Sequence, residues 1–405
     1  MAMDGDIDYS GFSYKELEEA LERIHKDRFS LNYQRLIAEI EKRRLEAEKS
    51  GLPLSEIYDK PIVRHRPEFR VDAKEYFRIW IVNLALTIVT LGIYSAWAKV
   101  RKQRYFYSST VLAGSSFGYH GDPLRILKGR IIAVVLFGLY LAAGRISTVA
   151  TLAAVAIVAV LTPWLVVKSR MFAMRVTSWR GLRFDFRDDY AGAYRALLGW
   201  LVLGFISFGL LMPRYSRERY RFIFSRSAFG KMPFECNPGI GRFYKTAFAA
   251  IGMTMLVGII GGFFLALIGG LLAVESGGKP SPPSLVTTLL PLLLYAFILP
   301  VVLGYTQSRN LNEVFEHTSI GPHQLHCKLS ASRLIGIYFT NLLGMVFTLG
   351  LYSPWAQIRL ARYRLESIEL EARGSLDEFV AATDAAVPAA AGEELTSFFD
   401  LDFGF

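Results

Sequence analysis

The stretch HTSIGPHQLHC, from His317 to Cys327, is the densest set of possible metal ligands in the chain. A closed zinc site needs about four ligands, usually in paired short spacings. Here His323 and His326 form an isolated pair at i, i+3 with no C-x-x-C partner, and three similar stretches elsewhere lack these histidines. No metal or other cofactor is expected. His120 and Asp122 lie in YHGDP, where Gly and Pro announce a turn; a catalytic dyad there would need a nucleophile, and no signature of one is present. No G-x-x-x-x-G-K-[ST] phosphate loop occurs. With no acid, base, nucleophile or metal set, an enzyme is not expected. Cys236 and Cys327 lie far apart in basic connections and read as reduced thiols.

The basic residues are more informative. After Trp97 come Lys99, Arg101, Lys102 and Arg104; after Trp355 come Arg359 and Arg362. In each copy two arginines at i, i+3 share one helix face, beside an aromatic suited to a membrane interface. Arg101, Arg104, Arg359 and Arg362 are therefore candidate contacts for anionic phospholipid head groups, each cation contributing on the order of 1 kcal/mol near the surface. The same pattern also serves as a plain topology signal. Asn83 and Asn341 are the notable uncharged polar residues within apolar runs, at matching positions. They fit either an interhelical hydrogen bond, about 0.6–2 kcal/mol each, or the lining of a polar path. No Asp, Glu or His lies within these runs away from their ends, which argues against a proton relay through side chains.

The elements that carry these residues belong to a membrane protein. The chain has 405 residues, 52% of them hydrophobic, and a mean hydropathy of +0.29. About 20 apolar residues cross a hydrocarbon core of about 30 Å as a helix. Seven apolar segments qualify as candidates, near 77–97, 126–146, 149–167, 196–212, 246–273, 285–305 and 334–355. The first starts only near Ile79, after charged sequence, so no signal peptide is expected. The net charge of +10 sits in short blocks against apolar runs, as the positive-inside bias predicts, and no nucleic-acid motif accompanies it. In the fifth segment Gly258, Gly262, Ala266 and Gly270 are spaced for close helix packing.

The expected domains are a soluble N-terminal helical hairpin with its linker (1–70), a membrane domain (71–373) and an acidic, Ala-rich tail expected to be disordered (374–405). In the first, Ser13 and Glu16 read as a helix start. Apolar faces at Leu17, Ala20, Leu21 and Ile24, and at Leu36, Ile37 and Ile40, follow. The stretch KPIVRHRPEFR reads as a linker, with Pro61 and Pro67 opposing helix.

The membrane domain repeats itself. TLGIYSAWAKVRKQRY returns as TLGLYSPWAQIRLARY, and Gly92 aligns with both Gly350 and Gly209. A second signature, Thr or Ser, then Gly, then an aromatic or apolar residue, occurs as TVLAGSSFGY, TSWRGLRFDF, SAFGKMPFEC and TSIGPHQLHC; it suggests short strands turning at the Gly. The order is A–B–A–B–A, with A a single apolar segment and B a hairpin of two. The predicted class is mainly α: a polytopic α-helical membrane protein with internal repeats and short β segments in its basic connections.

TLGIYSAWAKVRKQRYFY, YHGDPLRILKGR and TLGLYSPWAQIRLARYRLE resemble the YjgN-like family of bacterial inner-membrane proteins, a family of unknown function. The resemblance runs from about Tyr76 to Ser367 and implies a multi-pass place in the cytoplasmic membrane, with no substrate or catalytic residue.

Lys and Arg crowd 99–130, 168–195 and 214–245 (seven, seven and eight), so the fourth segment has basic flanks on both sides. Either the A segments re-enter on the side they left, bent at Gly92, Gly209 and Gly350, or all seven span as inverted three-span repeats of the kind found in transporters. Charge favours the first, with the C-terminus cytoplasmic. Function is expected to be transporter or channel-like; the alternative is a non-transporting membrane module that binds anionic lipid or a protein partner.

Overall fold

The computed structural model describes residue 4, residues 7–9 and residues 12–50, 62–275 and 285–385. The N-terminal pair is α1 (Tyr14–Arg23) and α2 (Ser30–Ser50). Ser13 and Glu16 cap α1 reciprocally, each side chain accepting from the other's backbone N–H. Tyr9, Leu17, Leu36 and Ile40 form its core. Within it Arg43 is buried, donating to the Phe12 and Tyr9 carbonyls and to Glu39.

The stretch expected to be a linker instead builds sheet. β1 (Ile62–His65) and β2 (Glu68–Phe69) flank Arg66 and Pro67. β1 pairs with β11 (Ile368–Arg373), and β2 with β3 (Thr110–Leu112). Eleven antiparallel strands run in the order β1-β11-β10-β9-β8-β7-β6-β5-β4-β3-β2. Because β1 and β2 are consecutive in the chain, one kinked strand joins the two ends of the sheet and curls it into a barrel-like half-shell. Proline is tolerated at the kink because no ladder bond is needed there.

Sequence neighbours are also sheet neighbours, so connections alternate between the two rims. At one rim are four tight turns: β3 to β4 (Ser115–Tyr119), β5 (Thr177–Trp179) to β6 (Leu182–Phe186), β7 (Ser227–Phe229) to β8 (Met232–Cys236), and β9 (Thr318–Ile320) to β10 (His323–Cys327). These are the four stretches in which the sequence signature predicts strands. Their turn glycines, Gly114, Gly181, Gly230 and Gly321, all have positive φ, a conformation that glycine adopts without steric cost.

Five helical excursions leave and re-enter at the other rim. Three are short: α3 (Ala73–Val89) with α4 (Ser95–Ser108), α7 (Tyr190–Ile206) with α8 (Met212–Arg226), and α11 (Ala331–Phe347) with α12 (Ser353–Glu366). Two are long: α5 (Pro123–Ile146) with α6 (Thr148–Arg175), and α9 (Ile240–Glu275) with α10 (Leu285–Glu316). The first, fourth and seventh apolar segments thus each fold as the outgoing arm and turn of a short hairpin. The basic stretches 99–130 and 214–245 both attach to the same rim.

The returning helices enter the strands through a recurrent join. The hydroxyls of Thr110, Thr177, Ser227 and Thr318 donate to the carbonyls of Phe106, Ala173, Ile223 and Val314, four residues back. This satisfies a carbonyl that the ending helix would leave open.

Trp179, Leu182, Phe229, Ile320, Leu370 and Ala372 fill the shell, together with Leu376, Phe379 and Val380 of α13 (Leu376–Ala385). The first part of the tail, expected to be disordered, is therefore a helix seated on the sheet core: Leu376, Phe379 and Val380, at i, i+3, i+4, supply an apolar face that the acidic, Ala-rich composition conceals. Asp377 pairs with Arg180. Residues 386–405 lie outside the described residues.

Packing between α9 and α10 also differs from the spacing-based expectation. A Cβ on Gly261 would come within 2.5 Å of Leu294, whereas on Gly258, Gly262 or Gly270 it would meet nothing among the described residues. Among the described residues it is Gly261 that permits the close approach of α10.

Candidate membrane-facing site

The three short hairpins share one turn. Leu91, Phe208 and Leu349 have φ of 49°, 52° and 50°, followed by Gly92, Gly209 and Gly350 at 92°, 89° and 89°. Each glycine N–H donates to the carbonyl five residues back, at Thr87, Gly204 and Met345, over 2.7–2.8 Å. The hydroxyls of Thr90, Ser207 and Thr348 accept from the N–H four residues on. A bulky residue in the left-handed region costs about 1–2 kcal/mol. It is spent on holding an apolar side chain outward: Leu91 is 94% and Leu349 95% exposed, and Phe208 is fully exposed.

Outgoing arms are apolar and returning arms basic. On α4 and α12, Arg101 and Arg104, and Arg359 and Arg362, are exposed. They stand about 10 and 6 Å above the strand joins in both copies, at 1.5 Å per residue. Arg359 donates to Thr340 Oγ1 at 2.6 Å and Arg362 to the Val71 carbonyl at 3.3 Å. Asn83 and Asn341 are buried between arms. Asn341 Nδ2 donates to the Ala356 carbonyl at 3.2 Å, bracing α11 to α12; neither side-chain carbonyl has a partner among the described residues.

The outgoing arms are 17 residues long, about 25 Å, whereas the long hairpins have arms of 24, 28, 36 and 32 residues, about 36–54 Å. Arg130 on α5 donates to Ser95 at the turn of the first short hairpin, and α5 continues to Ile146 beyond it. Pro123–Ile146, Thr148–Arg175 and Ile240–Ile268 are long and apolar enough to cross a membrane, with few of the side chains in their most apolar stretches buried.

Sequence reasoning missed the space these helices enclose. Returning arms α4, α6, α8, α10 and α12 ring two adjoining cavities of about 530 and 470 Å³. Gln103, Tyr107, Phe117, Arg170, Phe224 and Phe315 line both. Lys99 lines one and Arg364 the other. Arg364 Nη2 donates at 2.6 Å to Gln307 Oε1 and to the Tyr338 hydroxyl. Nothing in the sequence flags it: the residue matching Arg364 in the first copy is Phe106.

The histidine cluster does not assemble. Strand alternation sends His323 into the shell, edge-on to Phe379, and His326 outward to Glu316 and Glu371. Burial and the nearby Arg373 cation pull His323 down to about 4, so it is neutral near pH 7; its Nδ1 accepts from the Arg373 N–H. Cys236 and Cys327 are both buried, and burial pushes Cys327 up to about 11. His120 bonds Ser178 at 2.8 Å, and Asp122 caps α5 through the Leu124 N–H.

A family model described as a bacterial protein of unknown function, DUF898, matches residues 64–398. The chain belongs to that family. Membership takes in β1, β2 and α13, beyond the limits of the quoted motifs. Similar curated proteins are the inner membrane protein YjgN of Escherichia coli K12 and that of Salmonella typhimurium. Each is 28% identical over 142 residues, 34% of this chain and 34% or 35% of the relative. The match thus spans about a third of those relatives' length. No solved structure matches.

Proposed function

We propose that this chain is a bacterial inner-membrane protein that engages anionic lipid of the cytoplasmic leaflet through its short hairpins. The supporting observation is the shared turn: three exposed apolar tips, each followed by a basic returning arm, all attached to one rim. In this reading the two long hairpins cross the bilayer, and the short ones enter to about mid-depth and return. The half-shell and the C-terminus stay cytoplasmic. Arg101, Arg104, Arg359 and Arg362 then lie near the head groups while the tips lie in hydrocarbon. Recurrence of the same turn bonds in three hairpins supports internal duplication. The relatives' description as inner membrane proteins supports the location.

The transporter or channel-like reading draws on a different observation, the cavity among the five hairpins. Against it stands the packed shell below, where Trp179, Phe229 and Phe379 pack ring against ring; a pathway would require that core to open.

Replacing the four arginines with Gln in reconstituted protein tests the lipid reading. Retention of phosphatidylglycerol, read by native mass spectrometry, is expected to fall at least several-fold. The Arg101/Arg104 pair should contribute more, because Arg359 and Arg362 already donate within the chain. Unchanged retention, or phosphatidylglycerol-independent solute flux from liposomes, would refute it.

A further inference from the structure

We infer that the chamber ringed by the five returning helices is a binding site for an amphiphilic anion, a phosphate head group carrying acyl chains. The inference rests on the membrane placement proposed above but concerns a different site, inside the ring rather than on its outer face.

The lining makes the case. Lys99, Arg170 and Arg364 contribute positive charge, and no Asp or Glu lines either cavity among the described residues. Arg364 donates only to neutral acceptors, the Gln307 amide and the Tyr338 hydroxyl, and its buried Nε has no partner among the described residues. Arg364, whose described partners are all neutral, favours an anion, and low-dielectric walls strengthen the attraction. The remaining wall is aromatic, with Phe106, Phe224 and Phe315 presenting an apolar surface. A free inorganic anion would leave that surface in water, whereas an amphiphile covers it. Cavities of this volume suit a small molecule or a lipid head group with part of its chains. Arg170 and Arg364 stand within about 8 Å of the strand joins, below the outer arginines. A head group would thus be drawn beneath the interface, its chains running up between the hairpins. Below, the half-shell is packed, so the ligand enters from the bilayer.

Full-length protein in neutral detergent, titrated with short-chain phosphatidylglycerol, phosphatidylcholine of equal chain length, or inorganic phosphate, tests this through the thermal unfolding midpoint and the lipid retained after gel filtration. Wild type is expected to be stabilised by phosphatidylglycerol alone and to retain about one molecule per chain. R170Q/R364Q is expected to retain about tenfold less or lower. Gln103→Trp leaves both arginines in place and fills the space; it too should lose the response. R101Q/R104Q should shed lipid held at the outer face yet keep the one molecule bound in the chamber and its thermal shift, so failure of the surface reading and failure of this one are read separately. An undiminished phosphatidylglycerol response in R170Q/R364Q or Gln103→Trp would overturn the proposal. So would equal stabilisation by phosphatidylcholine or inorganic phosphate.

Discussion

The long hairpins and the short ones start from the same sheet rim and are built for different ends. In α5–α6 both arms are apolar, and Ser147 simply caps the second helix through the Ala150 N–H. In α3–α4 the chain is forced round within a few residues by a left-handed Leu91 and Gly92, and it returns on a basic helix. Length follows the same division, about 25 Å of outgoing arm against 36 Å or more. On the proposed placement, the difference teaches that apolar content alone does not distinguish a crossing segment from a returning one; the turn and the charge of the second arm do.

The largest expected effect comes from charge placed at the two kinds of depth. Val155→Lys, in a long hairpin, should destabilise membrane-integrated protein by about 2.5–3.5 kcal/mol. Leu91→Lys should cost a comparable amount if the short tips reach mid-depth. A cost for Leu91→Lys well below 1 kcal/mol, from unfolding in bicelles, would place those tips at the surface and break the comparison.

A smaller effect separates the turns from the helices. Gly350→Ala forces a side chain to φ of 89° and should cost about 1–2 kcal/mol, although nothing among the described residues lies within 4 Å of the added Cβ. Gly138→Ala, in the middle of α5 with equally open space, should be neutral or stabilising by up to about 1 kcal/mol. Equal effects at the two positions, measured by denaturant unfolding, would mean that the turn is not held as described.

Much of this was legible because local patterns carry it. The Thr/Ser–Gly–aromatic stretches signalled strands since the hydroxyl join, the left-handed turn and the alternation all lie within about ten residues. The matching Asn83 and Asn341 signalled either a brace between arms or a polar path, and Asn341 donates across to the Ala356 carbonyl. Long-range features were hidden. KPIVRHRPEFR looked like a linker because the partners of Ile62–His65 and Glu68–Phe69 are at 370–373 and 110–111. Arg170 and Arg364 meet in the chamber only after five excursions close into a ring, and neither recurs between copies. The pairing of His323 with His326 suggested a ligand set only while the segment's period was unknown; a strand puts them on opposite faces.

Sidedness of three engineered thiols tests the central claim most directly: Thr148→Cys at the top of a long hairpin, Leu91→Cys at a short tip, and Lys231→Cys at the tight-turn rim. Native Cys236 and Cys327 are buried and contribute little background. With a membrane-impermeant maleimide, Thr148→Cys should label in intact spheroplasts and Lys231→Cys only in inverted vesicles. Leu91→Cys should label in neither until detergent is added. Labelling of Leu91→Cys in intact spheroplasts would show that the short hairpins cross the membrane and would contradict the account.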